Sequence, residues 1–223
     1  MAPPRIGIIC GMESERIALG GAADHPSILT AISAARPAQA EAEAARLAGA
    51  GCTLLVSWGL AGGLAPGLTP GDLIVPRTVV SEAGEEWAAA PCPSPLEALA
   101  RAQPERLLGV EHVVLDPVDK AKLAAASGAA AVDMESHRVA RAAAAAGVAF
   151  LVVRALGDPA TRALPALAAD AIGPDGRPKI LRVVLGLIAR PTDLPALLRT
   201  KRDSDAGHAA LQGAAAAIAS ITA

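Results

Sequence analysis

Residues 129–160 read AAAVDMESHRVARAAAAAGVAFLVVRALGDPA, and their periodicity changes three times. Ala130 to Met134 reads as a short strand and the alanine-rich run Ser136 to Ala146 as a helix. Gly147 stops that helix, and Ala149 to Arg154 is a continuous apolar run suited to a buried strand. The pattern predicts a βαβ unit, whose strands run parallel and whose carboxyl ends share one edge of the sheet. Glu135 follows the first strand and Asp158 the second, so both carboxylates are expected in the crevice outside that edge, where open α/β sheets take their ligands. Each also has a structural reading: Glu135 complements a helix N-terminus, and Asp158 sits in a Gly-Asp-Pro turn. Other segments pointing to the same edge favour the pair as a site.

The remaining composition bounds what such a site contains. A chain of 223 residues with 52% hydrophobic and 19% charged residues is long enough for one α/β domain and is not disordered. The net charge of −2 gives no reason to expect nucleic acid. Phe150, Trp58 and Trp87 are the only aromatic residues, so the site is expected to have aliphatic walls and no base-stacking platform. Cys10, Cys52 and Cys92 are odd in number and far apart, which implies neither a disulfide frame nor a zinc site. The N-terminus lacks a secretory h-region and the longest uncharged apolar stretch, Ala142 to Val153, is short for a bilayer; a cytoplasmic protein is the expectation.

Along the chain, Arg5 to Cys10 suits a central parallel strand, with Glu13 and Glu15 at its carboxyl end. The Gly-Gly and Asp-His-Pro punctuation between Gly20 and Ile32 suggests hairpin strands. A helix is expected from Ser33 to about Ala48, with Pro37 in its first turn; Ser33 and Arg36 at its opening are the first place to look for a phosphate. Cys52 to Ser57 reads as a buried strand running into a glycine-rich turn, Trp58 to Gly63, whose Gly59, Ala61 and Gly62 would let a ligand approach the backbone. This turn matches neither the dinucleotide nor the NTP glycine fingerprint. Gly71 to Pro76 and Thr78 to Ser81 read as paired strands, and Glu82 to Pro104 as a surface excursion near the site with a modest helix around Leu96 to Ala102. Arg106 to Leu115 reads as a strand, Asp116-Pro-Val118 as its outlet, and Lys120 to Ala126 as a helix. His112 and His137 have no partners at metal spacing and read as structural.

Three motifs in order, Ile6-Gly-Ile-Ile-Cys-Gly-Met-Glu-Ser-Glu15, Gly59-Leu-Ala-Gly-Gly-Leu-Ala-Pro with Pro70-Gly-Asp-Leu-Ile-Val, and Val132-Asp-Met-Glu135 with Val152-Val-Arg-Ala-Leu-Gly-Asp158, resemble the nucleoside phosphorylase and nucleosidase superfamily. They look most like its methylthioadenosine/S-adenosylhomocysteine nucleosidase branch. The short middle region and the tail after Pro159 are most similar to hopanoid-associated phosphorylases, also called adenosylhopane nucleosidases. The resemblance implies a three-layer α/β/α domain spanning residues 1–223 with a central mixed, largely parallel sheet. It implies an enzyme, a nucleosidase or purine nucleoside phosphorylase, that releases adenine from a nucleoside with an apolar 5′ group. It places Asp158 as the acid facing N7 of the purine, Glu15 as the base for water, Glu135 and Met134 on the ribose, and Arg154 as a framing residue. Asp133, Gly59, Ala61, Gly62 and Val118 join the substrate contacts. No metal or organic cofactor is implied, and the family members commonly form dimers or larger homo-oligomers.

This sequence departs from the pattern at several positions. Gly157 stands where the nucleosidases carry a serine beside the acid, and Asp133 replaces a glutamate. Ser57 and Leu60 replace the arginine and serine that hold phosphate in hexameric phosphorylases, which favours water unless Ser33 and Arg36 bind phosphate as a co-substrate. Residues 177–202 carry seven cations against Asp193 and read as two amphipathic helices separated by Pro191, a pattern suited to peripheral contact with the inner membrane or to covering the sheet. A final alanine-rich helix is expected over Ala206 to Ile221. The alternatives are a methylthioadenosine/S-adenosylhomocysteine nucleosidase, a general purine nucleoside phosphorylase, or a non-catalytic nucleoside- or lipid-binding protein.

Overall fold

The computed structural model describes residues 4–165 and 191–222. Among the described residues, nine strands form one mixed sheet: β1 (Ile6–Cys10), β2 (Ile28–Ile32), β3 (Leu54–Gly63), β4 (Leu73–Ile74), β5 (Thr78–Ser81), β6 (Glu86–Ala88), β7 (Arg106–Gly109), β8 (Ala131–Asp133) and β9 (Ala149–Asp158). The helices are α1 (Glu13–Ala18), α2 (Pro37–Gly49), α3 (Ser94–Glu97), α4 (Pro117–Ser127), α5 (Ser136–Ala146) and α6 (Leu194–Ser220).

Period-two alternation in the central strands builds two cores. Ile6 and Ile8 of β1, Val56 and Trp58 of β3, and Leu151 and Val153 of β9 face one side, where Ala18 of α1 and Leu211 and Ile218 of α6 cover them. Ile9, Leu55, Phe150 and Val152 face the other side, against Ala40, Ala44 and Leu47 of α2 and Val139 and Ala143 of α5. Helices therefore cover both faces of a largely parallel sheet, giving three layers. Gly207 lets α6 lie close to the sheet: a Cβ there would sit 2.6 Å from Leu60 Cδ2 and 3.0 Å from the Leu156 carbonyl oxygen.

Strand direction differs from the expectation at the stretch quoted first. β9 runs parallel to β3, from Leu54↔Ala149 to Gly62↔Asp158, whereas β8 pairs antiparallel with β3 at Gly62↔Val132 and Gly63↔Ala131. β8 and β9 thus run in opposite directions, and the predicted parallel βαβ unit is absent from this position. Apolar alternation specifies which face of a strand is buried, not the direction of its neighbour. The consequence decides the site. β9 lines one edge of β3 along most of its length, so β1, paired at Leu54 to Trp58, and β8 share the other edge and run toward each other. Their carboxyl ends meet opposite Gly59 to Ala61.

Other elements also differ. Gly20–Asp24 is a turn of 3-10 helix and β2 pairs parallel with β1, so no hairpin forms there. Trp58 to Gly63 continues β3 as a strand with an irregularity at Ala61/Gly62 instead of turning. β4 pairs with β9, while β5 pairs with β6 and β7. The final helix begins at Leu194, so the helix expected just after Pro191 and the alanine-rich one form a single 27-residue element. Positions 177–190 of the basic segment lie outside the described residues.

Candidate active site

Glu15, Glu135 and Asp158 line one cavity of about 240 Å³. Gly11, Leu60, Ala61, Gly62, Met134 and Asp133 share its wall, and aliphatic side chains including Val110, Val113, Val114, Val132 and Leu164 complete it. Three acids that are distant in sequence converge because β1 and β8 end against each other while β9 runs past both on the far side of β3.

Glu15 is held by backbone. Its Oε2 accepts the Met12 N–H at 2.9 Å and its Oε1 the Leu60 N–H at 2.8 Å, and the Trp58 indole N–H donates to its carbonyl at 3.0 Å. Burial raises the Glu15 carboxyl above its ordinary value, with the Arg154 guanidinium and the two amide donors opposing. Gly59 makes this arrangement sterically feasible, because a Cβ there would lie 2.5 Å from both Arg154 Nη1 and Glu15 Cδ.

Arg154 is fully buried beneath the site. Its Nη2 reaches Asp133 Oδ2 at 2.6 Å, Ser57 Oγ at 2.7 Å and Glu135 Oε2 at 3.3 Å, and its Nη1 donates to the Leu60 carbonyl at 3.3 Å. Ser136 donates its hydroxyl to Asp133 and its N–H to Asp133 Oδ1, so Asp133, not Glu135, caps α5. Glu135 is left to face the cavity, and its carboxyl is raised to about 8, chiefly by burial, with Arg154 opposing and Asp133 and Glu15 adding to the rise. Burial alone would lower the Arg154 guanidinium, but Asp133, Glu135 and Glu15 lift it, so it stays charged.

Asp158 bonds the ammonium of Lys120, a side chain buried in α4 that also donates to the carbonyls of Pro159 at 3.0 Å and Arg162 at 3.2 Å. Burial raises the Asp158 carboxyl, and Lys120 opposes that rise.

Several expected residues fall elsewhere. Val118 is 62% exposed on the first turn of α4, where its N–H bonds the capping Asp116, and it is not part of the cavity wall. The same helix turns Lys120 inward, two positions on. Ser33 and Arg36 do not converge on the cavity: Ser33 is buried, Arg36 is exposed, and only Ala35 between them reaches the wall. Their amides bond the Cys10 and Ser33 carbonyls, and that of Ala35 bonds Gly11. The segment Glu82 to Pro104 contributes nothing to the wall. His112, read as structural, lies at the cavity, as do Thr200 and Ser204 of α6. No motif marks these residues: Thr200 and Ser204 reach the cavity through the face of α6 that packing turns inward, and His112 through the path of the loop between β7 and α4.

A family model described as the phosphorylase superfamily matches residues 28–189, well over half of the sequence. The chain belongs to the phosphorylase superfamily. Solved structures agree with this superfamily fold. A Helicobacter pylori methylthioadenosine/S-adenosylhomocysteine nucleosidase mutant with 5′-methylthioadenosine in its active site is 19% identical, with 72% of this chain and 87% of that one covered and a TM-score of 0.62. Futalosine hydrolase of Helicobacter pylori is 18% identical over 82% and 98% of the two chains, with a TM-score of 0.63. The nucleosidase from Colwellia psychrerythraea in complex with adenine is 21% identical over 72% and 84%, with a TM-score of 0.61. At these identities the likeness concerns the fold. No curated protein matches the sequence at a significant level.

Proposed function

We propose that this protein hydrolyses the N-glycosidic bond of a 5′-substituted adenine nucleoside, adenosylhopane, and releases adenine. One observation carries the choice of water: Glu15, Asp133, Glu135 and Asp158 line the cavity, and no lysine or arginine side chain does among the described residues. Such a wall supplies a carboxylate base for water and offers a phosphate anion no cationic side chain to pair with. In this reading Glu15 takes a proton from water as the oxygen attacks C1′. The bond to the purine breaks, Asp158 gives its proton to N7, and Glu135 holds the ribose hydroxyls beside Met134. Burial raises the carboxyls of both Glu15 and Asp158 above their ordinary values, the direction that a group exchanging protons with its substrate requires. The chemistry calls for no metal or organic cofactor.

At about 240 Å³ the cavity is too small for a triterpenoid, so a large 5′ group has to leave through the mouth. Support comes from a second cavity of about 370 Å³ that shares His112, Val113 and Val114 with the first and has Leu115 and Leu123 on one part of its wall, with Asp116, Asp119 and Lys122 on the rest. Leu194 and Leu198, 46% and 49% exposed one turn apart on α6, with Arg199, Lys201 and Arg202 exposed beside them, support a peripheral contact with an anionic bilayer. No helix among the described residues is long and apolar enough to cross a membrane.

The test offers purified protein adenosylhopane, methylthioadenosine and S-adenosylhomocysteine, with and without phosphate, and follows adenine and the sugar product. Fastest release from adenosylhopane with a free sugar is expected. A sugar 1-phosphate overturns hydrolysis, faster release from the other two substrates favours the methylthioadenosine/S-adenosylhomocysteine reading, and no adenine from any substrate favours a binding protein. Asp158→Asn and Glu15→Gln should each slow release by about 10²–10⁴-fold.

A further inference from the structure

Lysine is almost never fully buried unless paired, yet Lys120 is 1% exposed beneath the cavity floor. An ammonium has three N–H donors, and here each has an acceptor: the Asp158 carboxyl, the Pro159 carbonyl and the Arg162 carbonyl. Nothing remains for a ligand. Among the described residues, no other side chain donates to Asp158, and its neighbour Gly157 has no side chain to offer.

We propose that Lys120 is the positioning residue for Asp158: its ammonium anchors one carboxyl oxygen to the backbone of residues 159–162 and leaves the other to meet the departing base. This inference rests on the reading of Asp158 as the acid. When the C1′–N bond breaks, the proton on Asp158 passes to N7, and the carboxylate left behind already has a cation beside it. Lys120 keeps its three hydrogens throughout, so the step needs no further proton. The charged groups facing Asp158 are Lys120 from α4, Arg162 from the segment after β9, and Asp203 from α6, which pairs with Arg162. Lys120 lowers the Asp158 titration that burial raises, so removing it lets the carboxyl hold its proton to higher pH.

The test is a ¹³C NMR titration of the Asp158 carboxyl in the full chain, paired with the pH profile of adenine release. Lys120→Met should move the titration up by roughly one to three units, the range set by an adjacent opposite charge. The alkaline limb of the profile should follow it. Because removing one member of a buried pair destabilises a fold, Lys120→Gln is the second variant: it keeps a donor without the charge and should show the same upward shift. Thermal unfolding establishes that each variant is folded. A folded variant whose Asp158 titrates as in the parent overturns the inference. Asp158→Asn tests the underlying reading separately: if it still releases adenine the acid role fails, whereas an inactive Asp158→Asn beside a Lys120→Met with parental titration and profile removes only the lysine's role.

Discussion

Arg154 gives the most exacting test of how the site is held together. Arg154→Met keeps an unbranched side chain in the same space but deletes the cation between Asp133, Glu135 and Glu15, with its contacts at 2.6 and 3.3 Å to the first two. Breaking a buried ion pair from one side costs about 3–5 kcal/mol, because the partner charge is left without compensation. For a chain of this size, each kcal/mol lowers Tm by about 2–4 °C, so a fall of roughly 6–20 °C is expected near neutral pH. The loss should depend on pH with a definite sign. Glu15 and Glu135 titrate higher in the folded protein than unfolded, so their contribution to stability is fully present below the unfolded value of 4.5 and fades as pH rises through the folded one, about 8 for Glu135. Each proton so held is worth about 1.4 kcal/mol per pH unit across that window. Without Arg154 both carboxyls rise further, and the variant parts from the parent only above the parent's own folded values, so the gap should widen once pH passes about 8, the folded value of Glu135. Circular dichroism melts of both proteins from pH 5 to pH 9 measure this. An equal Tm loss at pH 5 and pH 9, or a loss under about 3 °C at pH 9, would refute Arg154 as the counter-ion of the site.

Three further substitutions have definite expected outcomes. Gly59→Ala places a methyl 2.5 Å from Arg154 Nη1 and from Glu15 Cδ, so it should cost about 1–3 kcal/mol and reduce adenine release far more than a distant substitution of equal stability cost; melts and turnover measured together check this. On α4, Asp116→Ala removes the side chain that accepts the Val118 N–H at 2.7 Å and should cost about 1 kcal/mol, while Val118→Ala should leave both stability within about 0.5 kcal/mol and turnover unchanged. A turnover defect in Val118→Ala would return that residue to the site.

The sequence by itself determined the class of fold, the burial of β1, β3 and β9 and the helices α2, α4 and α5, because apolar period and glycine or proline punctuation report local conformation and which face avoids water. It also marked Glu135 and Asp158, since carboxylates after apolar strands are conspicuous, and the resemblance of Ile6 to Glu15 to the family motif singled out Glu15 from Glu13. Only the tertiary structure decided that β8 runs against β3, that Asp133 caps α5 and so frees Glu135, that Lys120 points inward where Val118 does not, and that neither Ser33 nor Arg36 lines the cavity. Strand polarity and helix rotation are set by pairing and packing between segments far apart in the chain, and no local pattern of residues encodes either one.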